Sequence, residues 1–528
     1  MKINPFLFLY FFIWSQVLLA QPPQYTAQAP QPTLLSNPLY LGYGLDLQGS
    51  DNLMMLPENR LNPDSRKIGI HFMRLKAQQP SNLPPVFYLR GGPGEAVYPE
   101  EFYKYFTRSN HSKALAFEVK QLNKKRDVIL MSQRGASRSP GLPMFQFKYQ
   151  YETGTQTEPL NPTKVGQKQA KALKKRLAHY KKLGVDPAGY DIINLTEDIE
   201  DVRKYYGYDK IALVGNSFGS QTALAYHKRY PARVDRMLLS AVEPLDHAYD
   251  DPQGVWQVLE RVAKEAESNP TIKNQLPKVG LLNAVKTIVQ RLEKGPIKVT
   301  LDIPGKKSQT VTIGVHDFQS TLLHPFSRGR RKRLESWPKY ITELYNGDYR
   351  VLAYAALKYR VGRDSDHIMP IQMDNSLGIS AKREKVLDNQ PAVRWLGDVN
   401  ARYKNTRQVT TSPVVNDNFR KQNTIEAPVL MIHGEMDRNT PLGNAHFLMQ
   451  HLKNGHLVQT VRGTHGNKWQ LFLKDKKLGA KILQFMEVDF DKTSFQNFKK
   501  TLPTQYVFPA LKFLPIQGKT LYESIWER

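Results

Sequence analysis

Residues 215–219, Gly-Asn-Ser-Phe-Gly, place the strongest limit on the fold of this chain. An apolar run at 210–214 predicts a strand before them, and 221–229 has the pattern of a helix. A glycine on either side of the serine lets the backbone turn sharply between these two elements. Such a strand–serine–helix turn presents the hydroxyl as a nucleophile. The alternative is a glycine-bracketed turn with an incidental serine, and the flanking strand and helix favour Ser217 as a nucleophile.

Strand and helix patterns alternate on both sides of this turn. Strands are predicted at 67–75, 85–89, 127–131, 237–239, 427–432 and 457–461, and helices at 164–183 and 195–205. Short apolar runs that end in tight turns are typical of buried parallel strands. The alternation predicts an α/β fold with a mostly parallel, doubly wound sheet.

A nucleophilic serine needs a histidine base and a carboxylate that orients it. After such a turn the partners follow in the order serine, acid, histidine. Asp437 lies just beyond the strand at 427–432, and His465 lies just beyond the last strand. Glycines at 463 and 466 favour His465 over His451 and His456. Asp246, after the strand at 237–239, is the competing acid.

Hydrolysis also needs donors for the oxyanion that develops in the transition state. The backbone N–H of Phe218 is one candidate. The second is Gly92, in a turn that directly follows the strand at 85–89 and whose glycines let the backbone approach a substrate. An ordinary Pro-Gly turn is the alternative there.

Several segments together resemble one branch of the α/β hydrolases, the prolyl-aminopeptidases and tripeptidyl-aminopeptidases. They are 91–94 (GGPG), 133–139 (QRGASRS), 197–203 (EDIEDVR), 336–338 (SWP) with 346–348 (NGD), and 434–441 (GEMDRNTP). The sequence departs from that pattern at Arg90, Ser132 and Ala136. The resemblance runs from about 65 to 485. It implies an α/β-hydrolase fold and an exopeptidase acting on peptide N-termini, without a metal or organic cofactor.

The regular alternation of strand and helix patterns stops after the strand at 237–239 and returns with the strand at 427–432. We expect a hydrolase core from 33–243 and 427–528, and an inserted, largely helical lid at 244–426 that controls substrate entry. The lid has helical patterns at 255–266 and 341–359, a possible hairpin at 297–313, and a basic cluster at 328–333.

The N-terminus has the composition of a secretory signal peptide at 1–20. Lys2 gives a positive start, and the apolar run that follows ends in Ala20. This run is short for a membrane-spanning helix. We therefore expect an exported protein, periplasmic or secreted, without an integral membrane segment after cleavage. The chain has no cysteine, which excludes disulfides and thiolate chemistry.

The chain is strongly basic, with 75 Lys and Arg residues against 48 Asp and Glu and a formal net charge of +27. That excess suits an anionic partner. No nucleic-acid-binding motif accompanies the charge, so we predict no nucleic-acid partner and favour a dispersed, solvated surface. A non-catalytic protein that binds an anionic envelope polymer stays an alternative.

The expected substrate is a peptide with a free N-terminal ammonium group. A partly desolvated carboxylate is the natural partner of that group. Glu243 lies just beyond the strand at 237–239 and is the first candidate, and Glu95 is the second. Either acid could instead pair with a nearby Lys or Arg. An esterase or amidase that acts on small acyl substrates is the alternative enzyme.

Overall fold

A computed structural model describes residues 33–41, 45–97, 110–136, 149–152, 155–323, 330–364, 369–490 and 494–526. Ten strands form one sheet in the order β1-β2-β3-β5-β4-β7-β8-β12-β13-β14. The first three pair antiparallel, and the strands from β5 to β14 pair parallel. The predicted mostly parallel α/β sheet is confirmed. The predicted signal peptide at 1–20 lies outside the described residues.

The large sheet contains the seven strands predicted at 67–75, 85–89, 127–131, 210–214, 237–239, 427–432 and 457–461, and three strands that the sequence analysis did not predict, Thr33–Leu41, Leu47–Pro57 and Gln505–Val507. Their bounds are β1 Thr33–Leu41, β2 Leu47–Pro57, β3 Lys67–Leu75, β4 Val86–Leu89, β5 Val128–Met131, β7 Ile211–Asn216, β8 Val234–Ser240, β12 Val429–Gly434, β13 Gly455–Val461 and β14 Gln505–Val507. Two small antiparallel pairs lie outside it: β6 Tyr149–Glu152 with β11 Val361–Asp364, and β9 Ile297–Leu301 with β10 Gln309–Ile313. The last pair is the predicted hairpin.

The helices before the insertion and after it belong to the two layers that cover the sheet. They are α1 Asn110–Leu122, α2 Pro162–Lys182, α3 Ile192–Tyr205, α4 Phe218–Arg229, α15 Gly443–Met449, α16 Asn467–Lys474, α17 Lys476–Leu483 and α18 Phe495–Lys499. The helices between β8 and β12 are α5 Pro252–Glu267, α6 Leu281–Lys294, α7 Val315–Leu322, α8 Arg330–Tyr345, α9 Arg350–Tyr359, α10 Met369–Leu377, α11 Ala381–Asp388, α12 Ala392–Leu396, α13 Ala401–Arg407 and α14 Asp417–Arg420.

Alternate residues of each strand face opposite layers of the core. Phe87 and Leu89 pack with residues of α2, α3 and α4, whereas Val86 and Tyr88 pack with residues of α1, α16 and α17. This follows from the two-residue period of side chains along a strand. Both faces of the sheet are therefore covered by helices, as a parallel sheet requires.

The inserted segment has an apolar core of its own, built from α5 to α9 and the β9–β10 hairpin. Two sets of residues pack across the expected division at 244–426. Met369, Ile371 and Met373 of α10 pack into the core of the sheet, where α10 contacts α3. Leu521 and Tyr522, near the C-terminus, pack into the core of the insertion and not into that of the sheet.

The helix predicted at 341–359 is interrupted in the structure. It divides into α8 and α9, and Gly347 between them has φ of 94°. Only glycine adopts this left-handed conformation readily, so the helix ends there and a new one begins.

Candidate active site

Ser217 occupies the sharp turn between β7 and α4. Its backbone has φ of 57° and ψ of −130°, a conformation that is strained for a residue with a side chain. The flanking glycines make the turn possible. A Cβ atom on Gly215 would lie 2.4 Å from the carbonyl oxygen of Gly219, and one on Gly219 would lie 2.2 Å from the carbonyl oxygen of Leu89. The turn can therefore form only with glycine at both positions.

The structure brings the three predicted triad residues together. His465 Nε2 lies 3.0 Å from Ser217 Oγ, and His465 Nδ1 lies 2.8 Å from Asp437 Oδ2. All three side chains are buried. The carboxyl ends of β7, β12 and β13 carry these residues, and parallel pairing through β8 aligns those ends at one edge of the sheet.

The carboxylate of Asp437 is held by its own loop. It accepts hydrogen bonds from the N–H groups of Asn439 and Thr440, at 3.0 and 3.1 Å, and from Thr440 Oγ at 2.7 Å. Burial opposes ionisation, but the adjacent ring of His465 outweighs it and lowers the pKa of Asp437 to about 2. Asp437 is therefore an anion at neutral pH, oriented to stabilise a positive charge on His465.

His433, at the end of β12, connects this acid loop to the neighbouring strand. Its Nδ1 accepts the N–H of Val242 at 3.1 Å, so its Nε2 carries the proton and donates to the carbonyl oxygen of Thr440 at 2.7 Å. Burial lowers the pKa of His433, which keeps the ring neutral. The ring thus joins the segment after β8 to the loop that holds Asp437.

The glycine turn at 91–94 runs beside the serine. A Cβ atom on Gly91 would lie 3.5 Å from Ser217 Cβ, so the turn that contains Gly92 adjoins the nucleophile. Gln133 holds this turn in place. Its Nε2 donates to the carbonyl oxygens of Arg90 and Gly91, both at 2.8 Å, and its Oε1 accepts the N–H of Gly94 at 2.6 Å.

The two candidate amine-binding acids differ in their surroundings. Glu95 is exposed, and its carboxylate lies 3.0 Å from Arg90 Nε, so this acid has the ion pair that the alternative interpretation expected. Glu243 is half-buried, and its backbone N–H donates to Ser220 Oγ at 2.9 Å. Burial raises the pKa of Glu243 well above its usual value, and the nearby acids Asp374, Asp250 and Asp437 raise it further.

Two acids that sequence reasoning missed share this environment with Glu243. Burial raises the pKa of Asp250 to about 7 and that of Asp374 to about 8. Asp250 precedes α5 and Asp374 lies on α10, so they approach Glu243 only through the packing of the insertion. No sequence signal marked either residue. Gln133 and His433 were missed as well, although both lie within motifs that the sequence displays.

Asp246, the competing acid, lies elsewhere in the hydrogen-bond network. Its carboxylate accepts from the backbone N–H and the hydroxyl of Ser380, at 2.6 and 2.7 Å, where α11 begins. The acid that contacts His465 is Asp437. Within the described ranges, no group of three or more His, Asp or Glu side chains is placed to hold a metal ion. No helix in those ranges is both long and apolar enough to cross a membrane.

Two family models match the chain. One, described as alpha/beta hydrolase fold, matches residues 84–280, and the other, described as TAP-like protein, matches residues 400–470. The first match contains Ser217, and the second contains Asp437 and His465. No curated protein matches the sequence.

Solved structures that match the chain include the following three hydrolases. The first is a meta-cleavage product hydrolase from Pseudomonas fluorescens IP01, with a TM-score of 0.32, 14% identity, and coverage of 80% of this chain and 94% of that one. The second is an esterase from Exiguobacterium antarcticum, with a TM-score of 0.33, 11% identity, and coverage of 80% and 97%. The third is 2-hydroxy-6-oxo-6-phenylhexa-2,4-dienoate hydrolase from Rhodococcus sp. strain RHA1, with a TM-score of 0.31, 16% identity, and coverage of 83% and 99%.

Proposed function

The chain is an α/β hydrolase that carries a TAP-like segment, and from this premise we propose that it is a serine aminopeptidase. The proposed enzyme releases residues from the N-termini of peptides through an acyl-enzyme. The observation that carries the serine-hydrolase part of the proposal is the continuous chain of contacts from Ser217 through His465 to Asp437, at 3.0 and 2.8 Å. The TAP-like match at residues 400–470 supports the aminopeptidase part.

The first half of the proposed reaction forms the acyl-enzyme. As Ser217 Oγ attacks the substrate carbonyl carbon, its proton moves to His465 Nε2. The carboxylate of Asp437 stabilises the resulting imidazolium. His465 then gives the proton to the departing amine, and the peptide C–N bond breaks. In the second half, His465 removes a proton from water, the hydroxide attacks the ester, and Ser217 Oγ takes the proton back.

The oxyanion would be stabilised by two backbone N–H groups, those of Phe218 and Gly92. Phe218 is the first residue of α4, so its N–H belongs to the positive end of that helix. Gly92 lies in the turn beside Ser217 that Gln133 holds. Each such donor is commonly worth about 3 kcal/mol in the transition state.

The free amine of the substrate would bind Glu243, with Asp250 and Asp374 adding negative charge nearby. These carboxyls have raised pKa values because they are buried close together, and a cation placed among them would favour their ionised forms. Arg438 near Asp250 and Arg402 near Asp374 lower these pKa values in part, but burial outweighs them. The electrostatics therefore favour a further positive charge beside Glu243, for which no cation is among the causes of the shift. Glu95, which faces Arg90, is less suited to that role.

The catalytic assignment is tested by three substitutions. Ser217→Ala, His465→Ala and Asp437→Asn should each lower turnover of an aminoacyl-naphthylamide by several orders of magnitude, with thermal unfolding close to that of the wild type. The wild type should react with a fluorophosphonate probe and the Ser217→Ala variant should not. Labelling of Ser217→Ala at the wild-type rate would refute the assignment of the nucleophile.

The amine site is tested with paired substrates, one with a free N-terminus and one acetylated. Glu243→Gln should lower kcat/KM on the free amine by about thirtyfold, near 2 kcal/mol as for a charge-assisted hydrogen bond, and should affect the acetylated substrate little. Glu95→Gln is the matched control and should affect neither. Equal losses on both substrates would argue against Glu243 as the anchor.

The same substrates separate this proposal from an esterase or amidase. The aminopeptidase prefers the free amine over the acetylated peptide. A wild-type enzyme that prefers the acetylated peptide, or that turns over only p-nitrophenyl esters, would leave the triad in place but overturn the peptidase assignment.

A further inference from the structure

Helix α2, Pro162–Lys182, carries a lysine stripe on its outer face, defined by Lys164, Lys168, Lys171, Lys175 and Lys182. With 3.6 residues per turn, these five positions fall within an arc of about 60°. From the first lysine to the last, the stripe is about 27 Å long at 1.5 Å per residue. All five side chains are exposed.

The opposite face of α2 fixes the stripe to the body of the protein. Leu173, Leu177 and Tyr180 are buried in the core that covers the sheet. The helix also begins at a defined cap, because the side chain of Asn161 accepts the backbone N–H of Lys164. The lysines are therefore presented on a rigid element.

Three of the five lysines of the stripe have no acidic partner among the described residues. Helix α2 contains no Asp or Glu. Lys164 pairs with Glu158 at 3.4 Å, but both side chains are more than 60% exposed, which makes the pair weak. Lys168, Lys171 and Lys182 form no salt bridge with any acid in the ranges that the structure describes.

The cations of the neighbouring helix α13 have acidic partners more often than those of α2. Helix α13 packs against α2, and two of its three cations have acidic partners. Lys404 lies 2.5 Å from Asp388, and Arg407 lies 2.9 Å from Glu384. Each pair of like charges three or four residues apart destabilises a helix by about 0.2–0.5 kcal/mol. The lysines of the stripe therefore repel one another in a helix that has no acid of its own to offset the repulsion.

We propose that the lysine stripe of α2 binds a linear anionic polysaccharide along the helix axis. A straight row of cations complements a polymer with charges at regular intervals. The exposed side chains of α2 include no aromatic residue on which nucleic-acid bases could stack. They also include no large apolar residue that could enter a bilayer. Binding there would hold the enzyme on the polymer, whatever its substrate.

The test compares two variants of the full-length protein with the same net charge. The stripe variant carries Lys→Gln changes at four stripe residues, Lys164, Lys168, Lys171 and Lys182, all exposed on α2. The control variant carries Lys→Gln changes at Lys474, Lys476, Lys477 and Lys481, all exposed on or beside α17. Glutamine has nearly the helix propensity of lysine, so both helices should persist.

Fluorescence anisotropy with fluorescein-labelled alginate oligomers, at graded salt, measures the affinity. The stripe variant should bind about tenfold or more weakly and with a smaller slope of log Kd against log salt, because fewer counterions are released. The control variant should stay within about twofold of the wild type. Hydrolysis of a small ester should be unchanged in both variants.

Three results would overturn the proposal. Equal weakening in both variants would mean that net charge alone drives binding. Unchanged affinity in the stripe variant would place the polymer elsewhere. Tighter binding of a thymidine oligonucleotide of equal charge, or of anionic phospholipid vesicles, would show that the stripe serves another class of partner.

Discussion

Gln133 should be a positioning residue whose loss weakens transition-state binding. The substitution Gln133→Met keeps the length of the side chain and removes its three hydrogen bonds, to Arg90, Gly91 and Gly94. These bonds hold the turn that presents the N–H of Gly92, so the turn should lose its fixed position beside Ser217.

Two different magnitudes follow from these contacts. Losing three buried hydrogen bonds at about 1 kcal/mol each should lower the free energy of unfolding by about 2–4 kcal/mol. One oxyanion donor is worth about 3 kcal/mol, and partial loss of its alignment should lower kcat by about tenfold to a hundredfold. KM should change little, because the ground-state carbonyl depends less on this donor than the oxyanion does.

Asn123→Leu is the matched control for stability. Asn123 is fully buried, and its Nδ2 donates to the carbonyl oxygens of Leu75 and Arg126, at 3.1 and 3.2 Å. These contacts lie near the amino end of β5, at the edge of the sheet opposite Ser217. This variant should be destabilised to a similar degree and keep its kcat.

The assay measures kcat and KM on a small ester, the affinity for a boronic acid inhibitor that mimics the oxyanion, and unfolding in urea. Gln133→Met should lose affinity for the boronic acid in proportion to kcat. If Gln133→Met is destabilised like Asn123→Leu but keeps its kcat and its inhibitor affinity, then Gln133 stabilises the fold only and the reasoning is wrong.

Four further predictions concern the surroundings of the triad and the N-terminus. His433→Phe should lower kcat about tenfold on esters and peptides alike, as measured by steady-state kinetics. The reason is that the loop holding Asp437 loses the buried hydrogen bond from His433 to Thr440, worth about 1–3 kcal/mol. The KM for a free-amine substrate should fall as pH rises through about 7 and 8, where Asp250 and Asp374 ionise, and Asp374→Asn should weaken that dependence. Because their pKa values are raised, Asp250 and Asp374 stay protonated in the folded state up to a higher pH than in the unfolded state. They therefore contribute stability below pH 4 that is lost as pH rises to about 8. Asp374→Asn should raise the melting temperature above that of the wild type by more at pH 8 than at pH 5. We also propose that the protein is exported, so its mature form should begin at or near Gln21; N-terminal sequencing of the mature product that finds Met1 would contradict this.

The sequence by itself determined seven of the ten strands of the sheet and the turn at Ser217. These depend on local chemistry: apolar runs that suit buried strands, and glycines where a side chain would collide with the backbone. Asp437 and His465 could be selected because each directly follows a predicted strand, and the carboxyl ends of parallel strands meet at one edge. No more than strand order and turn chemistry was needed to select them.

Other features of the site were decided by tertiary packing. Asp250 and Asp374 lie in segments without a catalytic signature, and only the folding of the insertion over the sheet brings them close to Glu243. The side-chain amide of Gln133 contacts a turn about forty residues away in the chain, and the ring of His433 contacts the segment after β8 from nearly two hundred residues away. Periodicity and propensity describe neighbours along the chain, so they carry no information about such contacts.

The same reason applies to the residues that pack across the expected division between sheet and insertion. The pattern of α10 predicts a helix but not which core it joins, and Leu521 and Tyr522 are apolar residues that either core could accept. The sequence does not specify which apolar face a residue will cover, because any complementary apolar face can bury its side chain. The closed three-dimensional arrangement of sheet, insertion and C-terminal segment determines which face each residue covers.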